Sequence, residues 1–355
     1  MTDPLERYHI ILDGKERARY MSLQATRSDF RPEQEEEDLW STHEREIGEM
    51  WARSQSGEEK TGVSGIEARS LSDLKSELAH RMLGHCDICE WKCGVDRTSG
   101  RKGRCGVLDA RISSEFLHYG EEPPLIPSHT IFFSGCNFRC VFCQNYDIST
   151  NPSGGSHISP KRLAEMITRR FDVPAWSAGQ APSTSNRAKA TNVNWVGGDP
   201  TPNLAYIIDV LRHLRTNIPQ IWNSNMYMTE RSMDLLDGIV DVYLTDFKYG
   251  NDICAERLSG VAEYMRIVTR NHERAARDSE LIVRHLVLPS HVDCCSIPVM
   301  DWLAEHLPNA LVNVMDQYRP VHRAFEHDDV CRDLKREEYL EVKNHAEDLG
   351  LHLVD

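Results

Sequence analysis

From residue 129 onward, short runs of branched and aromatic residues alternate with longer amphipathic runs, and this alternation constrains the fold more than any other feature of the chain. "TIFFSG" (130–135) reads as a strand. "SPKRLAEMITRRF" reads as a helix, with Ser159 as N-cap, Pro160 at the first helical position, and Leu163, Met166 and Ile167 on one face. Strands at "NVNWVGG" (192–198), "QIWNSNMY", "DVYLTDFKYG", "LIVRHLVLP" (281–289) and "ALVNVMDQY" follow, each with a helix after it. The helix after the second strand takes Thr201 as N-cap and buries Ile207, Ile208, Leu211 and Leu214, and the last helix closes at Gly350. About six such units predict a parallel sheet with right-handed crossovers, a partial (β/α)6 TIM-like barrel spanning 129–355.

Two stretches precede this barrel. Residues 1–80 are polar and acidic, with the run "EQEEEDL", and predict a peripheral, partly disordered extension. Residues 81–128 hold four cysteines among glycines and charges and predict a metal-binding segment. Within the barrel, 177–192 is poor in apolar residues and predicts a loop insertion.

The net charge of −14 argues against a general nucleic-acid footprint, which needs clustered Lys and Arg. No window has the 18 apolar residues of a membrane span, and the first residues lack a secretory pattern. The expectation is a cytoplasmic protein, with no membrane partner. In a reducing compartment eleven cysteines point to metal ligation or redox chemistry rather than to disulfides.

The sharpest motif is "CNFRCVFC", which places Cys136, Cys140 and Cys143 at C-x3-C-x2-C spacing. Three thiols are odd for a disulfide framework and one short of a closed zinc site. Three thiolates can hold three irons of a [4Fe–4S] cube and leave the fourth iron open. The loop follows the first barrel strand, at the end where parallel α/β proteins place active sites.

These residues resemble the signature of the radical S-adenosylmethionine (SAM) superfamily. The longer run "GEEPPLIPSHTIFFSGCNFRCVFCQNYDIS" resembles its pyruvate formate-lyase activating enzyme branch. The resemblance covers about 118–320. It implies that Phe142 lies against the SAM adenine. "WVGGDPTP" resembles the family's Gly-Gly-Glu strand end, so Gly197, Gly198 and Asp199 are expected at the SAM amino group, with Asp199 one methylene shorter than the usual acid. "NSNMY" and "LTDFK" resemble segments that hold a monovalent cation, which makes Asn223, Ser224 and Asp246 candidates, although Asn223 stands where an acid is usual. Arg284 matches an arginine that reaches the SAM carboxylate, and a charge inside an apolar strand requires a partner in any case. His285 alternates to the other face and is expected to be structural.

Upstream, Cys86, Cys89, Cys93 and Cys105 form C-x2-C-x3-C-x11-C, a spacing suited to a tetrahedral thiolate site. Zinc and a second, fully ligated iron–sulfur cluster both fit, with structural zinc preferred. Cys254, Cys294, Cys295 and Cys331 are scattered and read as buried or incidental.

The resemblance implies an enzyme that receives an electron from a flavodoxin or ferredoxin, cleaves SAM and abstracts hydrogen from a substrate. In the branch it resembles, the substrate is a glycine of a glycyl-radical enzyme. The alternatives are radical SAM chemistry on a small molecule, peptide or RNA, or a non-catalytic iron–sulfur or zinc protein in electron transfer or binding.

Overall fold

The computed structural model describes residues 3–56, 69–171 and 189–354. The N-terminal part contains α1 (Glu6–Leu12), α2 (Arg19–Ala25), β1 (Arg27–Ser28), α3 (Glu36–Ser56), β2 (Arg69–Ser70) and α4 (Leu71–Gly84). α4 starts where a helix should. The Ser70 hydroxyl accepts from the Asp73 N–H, and the Asp73 carboxylate accepts from the Ser70 N–H at 2.8 Å, a reciprocal capping box. Leu71, Leu74, Leu78 and Met82 then recur at helical spacing and are buried.

Here the structure differs from the sequence expectation. Among the described residues, 3–56 and 69–80 are packed onto the barrel rather than peripheral to it. Lys75 is fully buried, with its ammonium donating to the Asp234 and Leu235 carbonyls at 2.9 and 3.2 Å and lying 2.7 Å from His43 Nε2. The apolar positions that do this are spread thinly through a charged sequence, which hides them from composition.

The barrel contains β3 (Ile112–His118), β4 (Ser128–Phe133), α5 (Tyr146–Ser149), α6 (Pro160–Phe171), β5 (Asn192–Gly197), α7 (Leu204–His213), β6 (Gln220–Ser224), α8 (Glu230–Leu236), β7 (Val242–Asp246), α9 (Asp252–Ser259), α10 (Tyr264–Asp278), β8 (Glu280–Leu286), α11 (Ile297–His306), β9 (Leu311–Met315), α12 (Arg336–Asp348) and β10 (His352–Leu353). The eight strands run in the order β10-β9-β8-β7-β6-β5-β4-β3. β4 to β9 are parallel throughout, which is the expected six-unit partial barrel. β3 adds an antiparallel edge and β10 a short parallel one. Of these barrel elements, β3, α5, α10 and β10 lie outside the sequence reading. The loop expected over 177–192 falls largely on 172–188, outside the described residues.

Thr201 does not cap α7. Residues Thr201–Asn203 form a 3₁₀ turn and the α-helix begins at Leu204. Ser159 does cap α6, accepting from the Arg162 N–H at 3.3 Å.

A separate apolar cluster closes the barrel's lower end. Ile221, Val242, Leu244 and Ile282 point inward from β6, β7 and β8 and meet Leu5 and Tyr8 of the N-terminal segment and Leu125 of the β3–β4 connection. Each such buried aliphatic side chain contributes on the order of 1.5–3 kcal/mol. The same connection reaches across the interior, where Glu122 accepts from Asn313 Nδ2 at 2.9 Å and Glu121 lies 3.6 Å from Arg284. Among the described residues no helix is long and apolar enough to cross a membrane.

Candidate active site

The parallel strands bring their carboxyl ends to one rim, and the cysteine loop leaves the first of them. Gly135 turns the chain with φ +90° and donates its N–H to Ile148 O at 2.9 Å. The loop then hangs from the last turn of α9, with the Arg139 and Val141 N–H groups donating to the Ser259 and Leu258 carbonyls at 3.0 and 2.9 Å. The Arg139 guanidinium folds back onto the carbonyls of Cys136 and Phe138 at 2.7 and 2.8 Å.

Each sulfur has a polar neighbour. The Phe138 N–H donates to Cys136 Sγ at 3.3 Å, and the Ser259 hydroxyl donates to Cys140 Sγ at 2.9 Å. The Ser149 hydroxyl lies 3.3 Å from Cys143 Sγ. Burial pushes the Cys140 thiol up to about 11 although Lys248 opposes it, and burial raises Cys136 well above the usual thiol range. Thiols in such surroundings ionise when a metal takes the charge. A three-thiolate cluster therefore fits the donor set: one loop, three sulfurs and hydrogen-bond donors already aimed at two of them.

At the Gly-Gly pair the chain's own backbone makes the close approach. Gly197 has φ +133°, and a Cβ there would lie 2.2 Å from the Phe133 backbone. A Cβ on Gly198 would lie 2.1 Å from Gly135 O and 3.0 Å from Cys136 Cβ. The β5 exit thus lies in direct contact with the cysteine loop.

Asp199 is buried, and its carboxylate is spoken for. It accepts from the Thr201 and Asn225 N–H groups, each at 2.9 Å, and from the Ser224 hydroxyl at 3.1 Å. Burial raises its pKa against these hydrogen bonds. Asp199 and Ser224 join the exits of β5 and β6 to each other. Asn225 extends this network to the loop through its Nδ2, 2.7 Å from Asn137 Oδ1. The next residue, Met226, has φ +60°, a strained conformation held by its own N–H on Ser224 Oγ (3.1 Å) and by Asn271 on its carbonyl (2.7 Å).

Asn223, Asp246 and Arg284 are brought together. Asp246 and Arg284 are Cα partners on β7 and β8. Arg284 Nε donates to Asp246 Oδ1 at 3.0 Å, and Nη2 donates to Asn223 Oδ1. Lys248 Nζ donates to the other oxygen, Asp246 Oδ2, at 2.8 Å. Burial alone would raise the Asp246 carboxyl, but the two cations overcome it and hold the group at about 2. Both carboxylate oxygens are thus engaged by cationic side chains. Phe142 is buried, with one edge on Tyr318 at 5.8 Å between centroids. His285 points away, from Phe247 O to Ser296 Oγ, as expected of a structural residue.

The upstream cysteines gather in front of the same loop. Trp91 Nε1 donates to Asn137 O at 2.8 Å, and Arg104 stacks over Trp91 at 3.8 Å while donating to Gly260 O at 3.1 Å. Cys89 is pushed up by burial and further by Cys105, Cys86 and Cys93, so all four thiols share one pocket. A zinc tetrahedron with Zn–S of about 2.3 Å sets its sulfurs about 3.8 Å apart. Among the described residues, no three of these four sulfurs lie within 4.8 Å of one another.

Sequence reading missed Ser259 and Asn225 as participants. Asn225 lies inside the quoted "NSNMY" segment, whereas Ser259 carries no local signal.

A sequence profile described as the Radical SAM superfamily matches residues 130–303. The chain is 47% identical over 291 residues to an uncharacterized protein of Methanocaldococcus jannaschii, covering 80% of this chain and 81% of that one. Among solved structures, a domain of a pyruvate-formate lyase-activating enzyme from Bacteroides vulgatus aligns with TM-score 0.38 and 16% identity, over 46% of this chain and 98% of its own. Streptococcus suis SuiB bound to its precursor peptide SuiA aligns with TM-score 0.45 and 12% identity, over 88% and 60% of the two chains. The profile match takes in the cysteine loop together with the exits of β5 to β8 that surround it, and the chain belongs to the radical SAM superfamily, whose cofactors are a [4Fe–4S] cluster and SAM.

Proposed function

We propose that Cys136, Cys140 and Cys143 ligate the [4Fe–4S] cluster, that SAM binds between this loop and the rim formed by β5 to β8, and that the protein abstracts a hydrogen atom from a substrate. When bound, cluster and SAM supply a 5′-deoxyadenosyl radical by one-electron reduction, with a flavodoxin or ferredoxin as donor. The chain itself supplies position and electrostatics. The Phe138 N–H and Ser259 hydroxyl offset thiolate charge. Asp199 keeps the exits of β5 and β6 joined, and Arg284, fixed by Asp246 and Asn223, offers a cation to a carboxylate. The observation that carries this reading is the contact of Gly198 with Gly135 and Cys136, which makes cysteine loop and strand ends one surface.

For the substrate, the resemblance of the 118–320 run favours a glycine Cα–H on a partner glycyl-radical enzyme. A second reading, a small polar molecule inside the barrel, is favoured by a specific feature. Thr130 Oγ1, both amide atoms of Asn194 and Glu122 Oε2 are buried with no protein partner. Thr130 and Asn194 are Cα partners on β4 and β5. Leaving such groups unpaired costs about 1–3 kcal/mol each, which a bound polar molecule recovers.

The upstream four thiols are proposed to hold a metal, either a structural zinc or a second, fully ligated iron–sulfur cluster.

Electron paramagnetic resonance of the anaerobic, reduced protein, with and without SAM, tests the reading. A [4Fe–4S]⁺ signal that SAM perturbs, and that is lost in the Cys136→Ala/Cys140→Ala/Cys143→Ala variant, is expected. A cluster signal indifferent to SAM sinks the proposal. A glycyl signal on an added partner selects the first substrate reading, and SAM cleavage that responds only to small polar molecules selects the second.

A further inference from the structure

Away from the loop, Cys254, His291 and Cys294 come together although 37 and 3 residues separate them in sequence. Among the described residues they form the set of three metal-ligating side chains whose donor atoms lie mutually within 4.8 Å. Cys254 Sγ and Cys294 Sγ are 3.9 Å apart. That is close to the roughly 3.8 Å of two thiolates on one tetrahedral zinc.

The arrangement is built rather than incidental. Asn251 pins both cysteine-bearing segments at once. Its Oδ1 caps α9 by accepting from the Cys254 N–H at 2.8 Å, and its Nδ2 donates to Cys294 O at 2.7 Å. His291 Nδ1 faces Pro289 O at 2.8 Å, so it carries the proton and leaves the lone pair on Nε2. A carbonyl that orients an imidazole in this way is the usual support of a ligating histidine. Asp329 Oδ2 lies 3.3 Å from His291 Nε2 but outside that 4.8 Å set, so it becomes a fourth ligand only by turning towards the sulfurs. Cys294 stands in a π-helical turn, Val292–Ser296, an irregularity frequent at functional sites.

We infer that Cys254, Cys294, His291 and Asp329 form a mononuclear site for a borderline-soft divalent cation, zinc being the best match to two thiolates and an imidazole. Arg257 is part of it. Its Nη2 lies 3.1 Å from His291 Nε2 and its guanidinium pairs with Asp329, so it competes for the same lone pairs and must swing aside when the metal enters. The site sits at the start of α9, and the end of that helix carries Ser259 and the carbonyls that suspend the cysteine loop. A metal there braces the helix that supports the loop, with no part in electron transfer.

Cobalt(II) added to the iron-loaded, full-length protein under anaerobic conditions tests this. Wild type is expected to take up one cobalt with a thiolate-to-metal charge-transfer band, displaceable by zinc. His291→Gln and Cys254→Ser/Cys294→Ser are expected to lose that equivalent while the iron content stays the same. Arg257→Ala is expected to bind cobalt at least tenfold more tightly. The inference is overturned if wild type holds no more cobalt than the double variant or, where that variant does not fold, than His291→Gln. Thiol titration showing Cys254 and Cys294 already joined as a disulfide in the anaerobic protein overturns it too, as does an Arg257→Ala affinity that is unchanged or weaker.

Discussion

Arg284 and Asp246 face each other across the β7–β8 ladder, the guanidinium Nε 3.0 Å from the carboxylate and both side chains largely withdrawn from solvent. The pair sits in the rim, so it couples stability to the candidate site. Removing one partner strands the other charge. Arg284→Ala should cost about 3–5 kcal/mol in chemical denaturation, and Arg284→Lys should recover only part, because an ammonium lacks the fork that also reaches Asn223.

The same pair sets an acid limit. The Asp246 pKa is about 2 in the folded protein, below its ordinary 3.8. The unfolded chain therefore binds more protons in this range, and stability falls as pH drops from about 4 towards 2. Asp246→Asn should flatten that part of the stability–pH curve. An unchanged acid limb would contradict the assignment.

Lys75 makes a prediction at the other end of the scale. Burial lowers its pKa from 10.5 to about 8. Between these values the unfolded chain holds the proton and the folded protein does not, so stability rises with pH through that window. Lys75→Met should abolish this rise. At neutral pH it should cost about 1–3 kcal/mol, because two carbonyls and His43 lose their donor. Urea midpoints for both proteins from pH 7 to 10 decide the matter.

Ser259→Ala removes the hydroxyl that donates to Cys140 Sγ. Iron content should be retained, and the cluster's midpoint potential should become more negative, since a hydrogen bond to a thiolate favours the reduced cluster. A redox titration followed by paramagnetic resonance reads this directly, and a shift in the positive direction would count against Cys140 as a ligand.

Gly198→Ala forces a methyl group to within 2.1 Å of a backbone oxygen that no rotamer change can move. The β5 exit must then lift from the cysteine loop. A displacement near 1 Å in a reacting geometry costs about 10²-fold, so SAM cleavage should fall by that order while the iron count holds. Cleavage at the wild-type rate would show that the contact is not needed.

What was legible in the sequence was what is local. The C-x3-C-x2-C loop and the β/α alternation each depend on neighbours within a dozen residues, and both are present as expected. α10 was missed although Tyr264, Ile267, Val268 and Ala275 mark its buried face at helical spacing, because Asn271 and His272 interrupt that stripe and arginines and glutamates surround it. The hydrogen bonds of Asp199 were not legible either, since its partners Thr201 N–H and Asn225 N–H are defined only once β5 and β6 lie side by side. The same holds for Cys254 and His291, whose proximity comes from two separate crossovers.

The plug formed by Leu5, Tyr8 and Leu125 has a consequence for traffic. Among the described residues the floor under Thr130 and Asn194 is apolar and filled, while the sheet stays open between its two edge strands, β3 and β10, so a polar guest meets those side chains from the rim or from that seam and not from below.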